Sequence, residues 1–499
     1  MLEACPRPLG GRDGLLGAPR RICLAKPCRI WRSRHERPVL SRGPAAEPPI
    51  PARVEPIRLP ASIATLFRTV ARNPLASIPE QAYREPFVRV PLLGRETFHL
   101  CDPDLVRAVL LDGSDRFVKS EAAQRALVPA VGRAVLTAEG ERWRWQRRAL
   151  APMFRPERIL DFVPVMVARA EATRRRWLAL ATDPTAITDA AEDMMLTTFD
   201  IVLDALFSGP DGIDVPAFAA DITAAMEGRA GSSPIPCSAY PNGRPIRASG
   251  GSMPRARLRA RVEALVRARR ADPAPRADLL TRLIEAEDPE TGQRMGDRDV
   301  ADNLLTFMVA GHETTALALT WALYLLTLHP EATETIRAEV DAVTGGGAVE
   351  AGHVDRLVYT RAVIDEAMRL YPPAPIIPRQ ATEDVELPGL GLVRKGAPVI
   401  IPVYAIQRHR RLWSDPDRFD PTRFLGEAPK SRPRYAYLPF GAGPRICIGM
   451  SFALVEAVVV LATLLRGLEV SPVPGFVPEL KARITLRPEP GLPMRVLPR

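Results

Sequence analysis

Cysteine, lysine and long apolar runs are scarce in this sequence of 499 residues. The six cysteines are irregularly spaced, and no Cys-x-x-Cys pair or Cys/His cluster occurs, which argues against a disulfide scaffold and a structural zinc site. So few cysteines are typical of a reducing compartment, and we predict a cytoplasmic protein. The N-terminus lacks the apolar core of a signal peptide and any membrane-spanning length, so we expect no transmembrane segment.

Positive charge comes almost entirely from arginine, since only five of the 68 basic residues are lysines. The net charge is +10, but the basic residues are spread among acids and form no dense run. A nucleic-acid-binding arm would show such a run, so we expect no nucleic-acid partner. An anionic cofactor or an acidic protein partner fits this mild excess better.

The pattern along the chain indicates one domain behind a tail. Residues 1–55 are rich in Pro, Arg and Gly without periodicity, which predicts a disordered tail. Residues 56–499 form one continuous domain in which helical patterns dominate, with strand signals near its two ends. We predict a mainly α fold with small β-sheets. Residues 229–253 interrupt the helical region with an irregular, Pro- and Gly-containing stretch, which we interpret as either a mobile lid or a segment miscoded by compensating frame errors.

One helix should run through the core. The stretch "ADNLLTFMVAGHETTALALTWALYLLTLHPEAT" is apolar nearly all round, which favours a buried helix. Its centre, "AGHETT", carries Glu313 and Thr314, which are costly at a bilayer centre. An acid beside a hydroxyl can relay protons, and it can equally be a satisfied polar pocket; the motif alone leaves both open.

A second polar pair lies in "RAVIDEAMRLYPPAPIIPRQ". Glu366 and Arg369 are three residues apart and so share one helix face. Such pairs are usually solvated, but this helix is otherwise apolar, and a buried pair needs further partners. The later segment "SDPDRFDPTRF" offers Arg418 as the third member.

The segment "FGAGPRICIG" holds Cys447 in a glycine-rich turn directly before a long apolar helix. A helix N-terminus stabilises a thiolate, and Arg445 can reach an acidic group beside it. A buried structural cysteine needs no glycine-rich frame, and a nucleophilic cysteine wants a histidine that no nearby residue supplies. A single thiolate ligand to a haem iron fits this arrangement.

These motifs resemble those of the cytochrome P450 family of haem-thiolate monooxygenases. "FGAGPRICIG" fills every fixed position of the family's haem-binding loop, F-x-x-G-x-R-x-C-x-G. "AGHETT", the Glu-x-x-Arg pair and Pro-x-Arg-Phe follow in the family's order, and the resemblance covers roughly residues 60–497.

The resemblance implies a role for each matching residue. Cys447 would be the axial ligand to the iron, and Phe440 would pack beside its sulfur. Glu313 and Thr314 would deliver protons. The implied propionate ligands are Trp143, Arg147, Arg379 and Arg445. Glu366, Arg369 and Arg418 would form a structural triad below the haem.

The resemblance also implies a P450 fold with its long central helix over haem b (iron protoporphyrin IX). We expect a monooxygenase that inserts one atom of dioxygen into a small apolar substrate, with a fatty acid or other lipid as the first candidate. No flavin or nicotinamide domain follows the last strand pair, so we expect a separate electron donor, a ferredoxin or a flavoprotein reductase. The loop from Phe117 to Gly140, Val309, Ala310, Ile376 and Ile377 are expected to line the pocket.

Two alternatives compete with this interpretation. A haem-thiolate sensor or binding protein would not need the Glu313–Thr314 pair. An enzyme that uses peroxide, or that isomerises its substrate, typically lacks that pair. One local departure from the family pattern is Gln407, which stands where a histidine is frequent.

Overall fold

The computed structural model describes residues 50–498, apart from residues 93–94, 184, 209–217, 219–220, 222–251, 273 and 275. The irregular stretch predicted at 229–253 lies outside the described residues as far as residue 251. Helices dominate the described part of the chain, as their periodicity predicts. They are α1 Ile63–Arg72, α2 Pro103–Arg107, α3 Glu121–Val131, α4 Gly140–Leu150, α5 Pro156–Ile159, α6 Val163–Leu180, α7 Ala190–Phe207, α8 Ser252–Ala271, α9 Leu279–Glu285, α10 Asp297–Leu328, α11 Pro330–Thr344, α12 Val358–Leu370, α13 Val403–Ile406 and α14 Met450–Leu464.

The strands are short and form small sheets. They are β1 Phe87–Leu92, β2 Arg95–Leu100, β3 Phe117–Val118, β4 Ile187–Asp189, β5 Ile377–Ala381, β6 Val385–Leu387, β7 Gly391–Val393, β8 Pro398–Ile401, β9 Leu468–Pro472, β10 Glu479–Ala482, β11 Leu486–Glu489 and β12 Pro493–Pro498. The largest sheet has the order β1-β2-β8-β5-β3, in which β2 and β8 are parallel. A three-stranded sheet, β4-β12-β9, and the pairs β6-β7 and β10-β11 complete the set. The predicted class, mainly α with small β-sheets, is confirmed.

The central helix α10 is 32 residues long and is buried on almost every side. Its first turn carries Asp297 and Asp299, whose charges suit the positive end of the helix dipole. It ends at His329, because Pro330 cannot continue the hydrogen-bond ladder. No helix in the described part of the chain is long and apolar enough to cross a membrane.

Glu366 and Arg369 form a fully buried ion pair on α12, with both side chains at 0% exposure. The Arg369 Nε and Nη2 groups donate to the two carboxylate oxygens at 2.6 and 2.7 Å. Its remaining N–H groups donate to the carbonyl oxygens of Gln407, Pro416 and Arg418. The pair is therefore satisfied by several partners, as a buried pair must be.

We predicted Arg418 as the third member of this group, but the described contact with Glu366 comes from Arg423. Arg418 contributes its backbone carbonyl to Arg369, whereas the guanidinium of Arg423 lies beside the acid, with Nε 3.5 Å from Glu366 Oε1. The segment "PDRFDPTRF" contains the Pro-x-Arg-Phe pattern twice in succession. The second copy, which begins at Pro421, supplies the arginine.

Gln407 links the end of α12 to the segment before the cysteine loop. Its Nε2 group donates to the carbonyls of Met368 and Arg369, which belong to the last turn of α12. Its Oε1 accepts from the backbone N–H of Leu438 at 2.8 Å. The amide thus satisfies carbonyls that a helix end leaves without partners.

The first described residues pack on this core. The backbone N–H of Ala52 donates to the hydroxyl of Tyr324 on α10, and the hydroxyl of Tyr371 donates to the Ala52 carbonyl at 2.7 Å. The boundary that was predicted near residue 55 stays a prediction, since residues 1–49 lie outside the described part.

Candidate functional site

A cavity of about 410 Å³ lies against the middle of α10. Its wall combines α4, the start of β5, the cysteine loop and the start of α14. Seven of the eight predicted site residues line it: Trp143, Arg147, Thr314, Arg379, Phe440, Arg445 and Cys447. The eighth, Glu313, is not part of the lining.

The cysteine loop turns tightly so that Cys447 borders this cavity. The backbone N–H of Cys447 donates to the carbonyl of Phe440 at 2.9 Å. Cys447 keeps some exposed surface and lines the cavity, although protein atoms lie densely around it. This burial raises the pKa of the thiol, while the N–H of Gly449 and the charge of Arg147 act in the opposite direction. A ligand in the cavity would therefore meet the sulfur directly.

Two glycines of this loop have backbone conformations that side chains rarely adopt. Gly441 has φ of +71° and Gly443 has φ of +69°. A Cβ at Gly443 would overlap the carbonyl oxygen of Leu110, whereas at Gly441 the nearest atom, in Ile377, is 3.8 Å away. Gly443 thus lets the loop pack on the helical segment near Leu110, while Gly441 borders the cavity.

Arg445 is fixed at the cavity wall by three contacts. Its Nη1 donates to the carbonyl of Ala138 at 2.7 Å, and it forms an ion pair with Glu139. Its guanidinium also lies 4.1 Å from the centre of the Trp143 ring, a cation–π contact. Arg445 is therefore held against Glu139 and Trp143 at the start of α4.

Lys119 belongs to the same cluster, although the sequence reasoning did not single it out. It lines the cavity, and its Nζ lies 3.7 Å from Glu139 Oε1. Burial and the charge of Arg445 lower the pKa of this lysine to about 7, against the opposing effect of Glu139. One signal was present: Lys119 is one of only five lysines and lies in the loop that was predicted to line the pocket.

The cations at this wall have too little negative charge around them. Burial and Arg445 also lower the pKa of Arg379 to about 10, and burial lowers the pKa of Arg147 and of Arg445. Glu139 opposes the shifts of Lys119, Arg379 and Arg445, and Cys447 opposes that of Arg147. Half-buried cations whose charged forms are disfavoured are suited to an anionic ligand. A cavity with apolar walls, one thiol and such a cluster fits a haem with two propionates.

Glu313 lies behind the cavity wall, in contact with the β10–β11 hairpin. Its Oε1 accepts hydrogen bonds from Nε and Nη2 of Arg487, at 3.0 and 2.5 Å, and from the hydroxyl of Thr485. The hydroxyl of Thr314 donates to the carbonyl of Ala310 at 2.9 Å and borders the cavity. The acid and the alcohol thus face different surroundings, because neighbours on a helix are rotated by about 100°.

Sequence reasoning missed Thr485 and Arg487. They lie more than 170 residues after Glu313, so no local spacing connects them. The signal available was weak: residues two apart in an extended segment share a face, and "ITLRP" places a hydroxyl and a cation in that relation.

The predicted substrate-lining residues are borne out in part. Ala310 and Ile377 line the cavity, as do Lys119, Val135 and Leu136 of the Phe117–Gly140 loop. Val309 and Ile376 are not among the lining residues.

Known proteins with similar sequences belong to one family. The sequence model of the Cytochrome P450 family matches residues 58–493. Cyclooctatin synthase from Streptomyces melanosporofaciens is 33% identical over 436 residues, which cover 86% of this chain and 92% of that protein. Cyclooctat-9-en-7-ol 5-monooxygenase from the same organism is 33% identical over 427 residues, with 83% and 90% covered.

Among solved structures, the crystal structure of the cytochrome P450DA heme domain is similar to this fold. The TM-score is 0.73 at 28% sequence identity, and the match covers 89% of this chain and 97% of that domain. Sequence and fold therefore resemble the same group of proteins over nearly the whole described chain.

Proposed function

This chain belongs to the cytochrome P450 family, and on that premise we propose that it inserts one atom of dioxygen into a neutral, lipid-like substrate held beside α10. It is a cytochrome P450 monooxygenase, an iron-binding oxidoreductase that uses haem, dioxygen and electrons from a redox partner. One observation carries the proposed site: Cys447, Thr314 and a group of half-buried cations line a single cavity.

We assign Cys447 as the residue that would hold the iron of haem b. Cys447 lines the cavity, and although burial raises the pKa of its thiol, the N–H of Gly449 and the charge of Arg147 act toward the ionised form. When bound, haem supplies the iron at which dioxygen is activated, and a thiolate ligand favours cleavage of the O–O bond. Phe440, whose carbonyl binds the Cys447 N–H, would pack beside the sulfur.

The cation cluster is the proposed site for the two propionates. Trp143, Arg147, Arg379 and Arg445 were expected there from the family pattern, and Lys119 joins them through its place in the cavity wall. Carboxylates at this wall would supply the negative charge that the cations lack. The propionates would therefore orient the cofactor, because the cations that bind them are concentrated at this one wall.

Thr314 and Glu313 are the proposed route for protons. The Thr314 hydroxyl borders the cavity and can orient a water molecule there. Glu313 lies behind it, and its partner Arg487 keeps 16% of its side chain exposed. We propose that protons enter from solvent at Arg487 and pass to the Thr314 hydroxyl when the Glu313 side chain rotates toward the cavity.

The cavity favours a neutral substrate over a free fatty acid. Among the lining residues that the structure describes, the cations are Lys119, Arg147, Arg379 and Arg445, all assigned to the propionates. A fatty acid carboxylate would have to compete for them, whereas an uncharged lipid would not. The name of one relative specifies cyclooctat-9-en-7-ol, an uncharged alcohol, as its substrate. We therefore rank neutral cyclic alcohols above fatty acids.

We propose a separate ferredoxin or flavoprotein reductase as the electron donor, and a cytoplasmic location on the basis of the low cysteine content. The net charge of +10 favours an acidic donor. Reduction by such a donor slows as salt is added, and a rate that salt leaves unchanged would contradict an acidic donor.

The proposed function is tested by turnover under isotopically labelled dioxygen. The purified enzyme is supplied with a ferredoxin, its reductase, and either cyclooctat-9-en-7-ol or a fatty acid, and products are analysed by mass spectrometry. A hydroxylated product that carries one labelled oxygen supports the proposal, and a higher yield from the alcohol supports the ranking. Absence of labelled product from both substrate classes would contradict it.

A further inference from the structure

The cysteine helix α14 carries one ionisable residue, Glu456, nine positions after Cys447. The residue is fully buried, and neither carboxyl oxygen lies within ordinary hydrogen-bond geometry of a partner in the described part of the protein. Every other residue of α14 from Phe452 onward is apolar except Thr463. A buried, unpaired acid on an apolar helix is costly, so its presence needs a physical reason.

The surroundings of Glu456 favour its neutral form. Burial raises the pKa of this carboxyl well above its ordinary value, and the hydroxyl of Thr315 opposes the shift. No cation contributes to the shift. The neutral form has one O–H group to donate, and the Thr315 hydroxyl, which acts on the pKa of this carboxyl, is the acceptor that we consider for it.

Thr315 connects Glu456 with the cavity. It lies next to Thr314 on α10 and, like Thr314, lines the cavity. Its hydroxyl donates to the carbonyl of Gly311 at 3.3 Å, a long bond for an O–H donor. Because the proton of this hydroxyl is already used toward Gly311, its oxygen is left to accept from Glu456.

We infer that Glu456 is a positioning residue for the Thr314–Thr315 turn of α10: as a neutral acid it donates to the Thr315 hydroxyl, directly or through one buried water, and so fixes how α10 presents Thr314 to the cavity. This inference rests on the proposed function, because it concerns the wall from which protons are delivered. It gives the buried acid a task that leucine cannot perform, since leucine has no donor. Glutamine can perform it, since its amide donates.

The effect on stability and the effect on proton delivery have opposite signs. Replacing a buried unpaired acid by an apolar residue removes a desolvation cost and should stabilise the fold. The same change frees Thr315 and disturbs Thr314, so more of the reducing equivalents should end as hydrogen peroxide. A residue that serves structure alone would show lost stability with unchanged peroxide.

The test compares Glu456→Leu, Glu456→Gln and the matched control Thr463→Val with the wild type. Thr463 lies two turns further along α14 and its hydroxyl is also buried without a described partner. We measure the melting temperature of each ferric protein and the share of electrons released as peroxide during turnover. We expect Glu456→Leu to melt no lower than the wild type and to raise the peroxide share about two- to tenfold, the factor for one hydrogen bond. Glu456→Gln restores the wild-type share, and Thr463→Val leaves it unchanged.

An infrared measurement checks the neutral form without turnover. The wild type minus Glu456→Gln difference spectrum should contain the C=O stretch of a protonated carboxylic acid. Its absence, an unchanged peroxide share in Glu456→Leu, or a rise in Glu456→Gln equal to that in Glu456→Leu would overturn the inference. Each variant is first examined for its reduced, carbon monoxide-bound spectrum. A wild type without a thiolate-type spectrum would refute the proposed function instead, so the two failures are distinguishable.

Discussion

Arg487 donates two hydrogen bonds to one carboxylate oxygen of Glu313, from Nε at 3.0 Å and from Nη2 at 2.5 Å. The carboxylate is almost fully buried, and the pair joins the centre of the longest helix to a hairpin near the end of the chain. The acid of "AGHETT" is thus part of a buried ion pair in this conformation, and the proposed proton delivery would require it to leave that pair.

A double-mutant cycle should detect this pair. We predict that Arg487→Gln and Glu313→Gln are coupled by about 1–3 kcal/mol in the free energy of unfolding, because either single change leaves a buried charged or polar partner unmatched. Urea unfolding of the four proteins gives the coupling. The exposed pair Glu287–Arg294, with N–O distance 2.9 Å, is the control and should give about 0.5 kcal/mol or less. Equal couplings in the two pairs would show that Glu313 is not held by Arg487.

Arg423 should stabilise the buried pair on α12. We expect Arg423→Gln to lower the free energy of unfolding by about 1–3 kcal/mol, because the fully buried carboxylate of Glu366 would then have one cation fewer beside it. The exposed Arg434 is the control, and Arg434→Gln should change stability by about 0.5 kcal/mol at most. Denaturant unfolding measures both, and equal effects would contradict the assignment of Arg423.

Lys119 should make haem affinity depend on pH. Its pKa of about 7 in the protein means that it is mostly neutral above that pH, while propionates at this wall favour its charged form. Haem binding then takes up a proton at Lys119 above that pH, which offsets the proton that the Cys447 thiol releases when it ligates iron, so affinity should rise less steeply with pH above about 7 than it does without this lysine, by at most about tenfold per pH unit. Transfer of haem to apomyoglobin, followed across pH, measures this.

Two variants separate the charge of Lys119 from its bulk. Lys119→Arg keeps its charge across this range and should show the pH dependence of the Cys447 thiol alone. Lys119→Met should bind more weakly than the wild type at low pH and should also lack the offset above pH 7. If Lys119→Met retains the wild-type pH profile, another group is responsible.

The two loop glycines should differ in their tolerance of alanine. Gly443→Ala combines an unfavourable φ with overlap of the Leu110 carbonyl, and we expect it to cost about 2–4 kcal/mol of stability. Gly441→Ala meets only the backbone strain, about 1–2 kcal/mol. Thermal unfolding of both ferric variants measures the two losses of stability. A larger loss of stability in Gly441→Ala would contradict this account of the loop.

The sequence predicted the parts of the site that depend on local spacing. Phe440, Arg445 and Cys447 lie within one short turn, so the motif that contains them largely determines their arrangement. Trp143 and Arg147 are four residues apart on α4 and therefore share a face that lines the cavity.

The errors came from features that spacing does not determine. Two adjacent copies of Pro-x-Arg-Phe made Arg418 and Arg423 equally plausible, and only packing against Glu366 selects the second. Lys119, Thr485 and Arg487 act through contacts distant in sequence. Glu313 could have been placed more accurately, because a residue next to Thr314 on a helix points about 100° away from it.

The central claim is that Cys447 ligates a haem iron in this cavity, and an absorption spectrum tests it most directly. The purified protein is reduced with dithionite and exposed to carbon monoxide, beside the variant Cys447→Ser. We predict a strongly red-shifted Soret band in the wild type that is absent from the variant. A wild type without a haem band, or a red-shifted band that survives in Cys447→Ser, would contradict the claim.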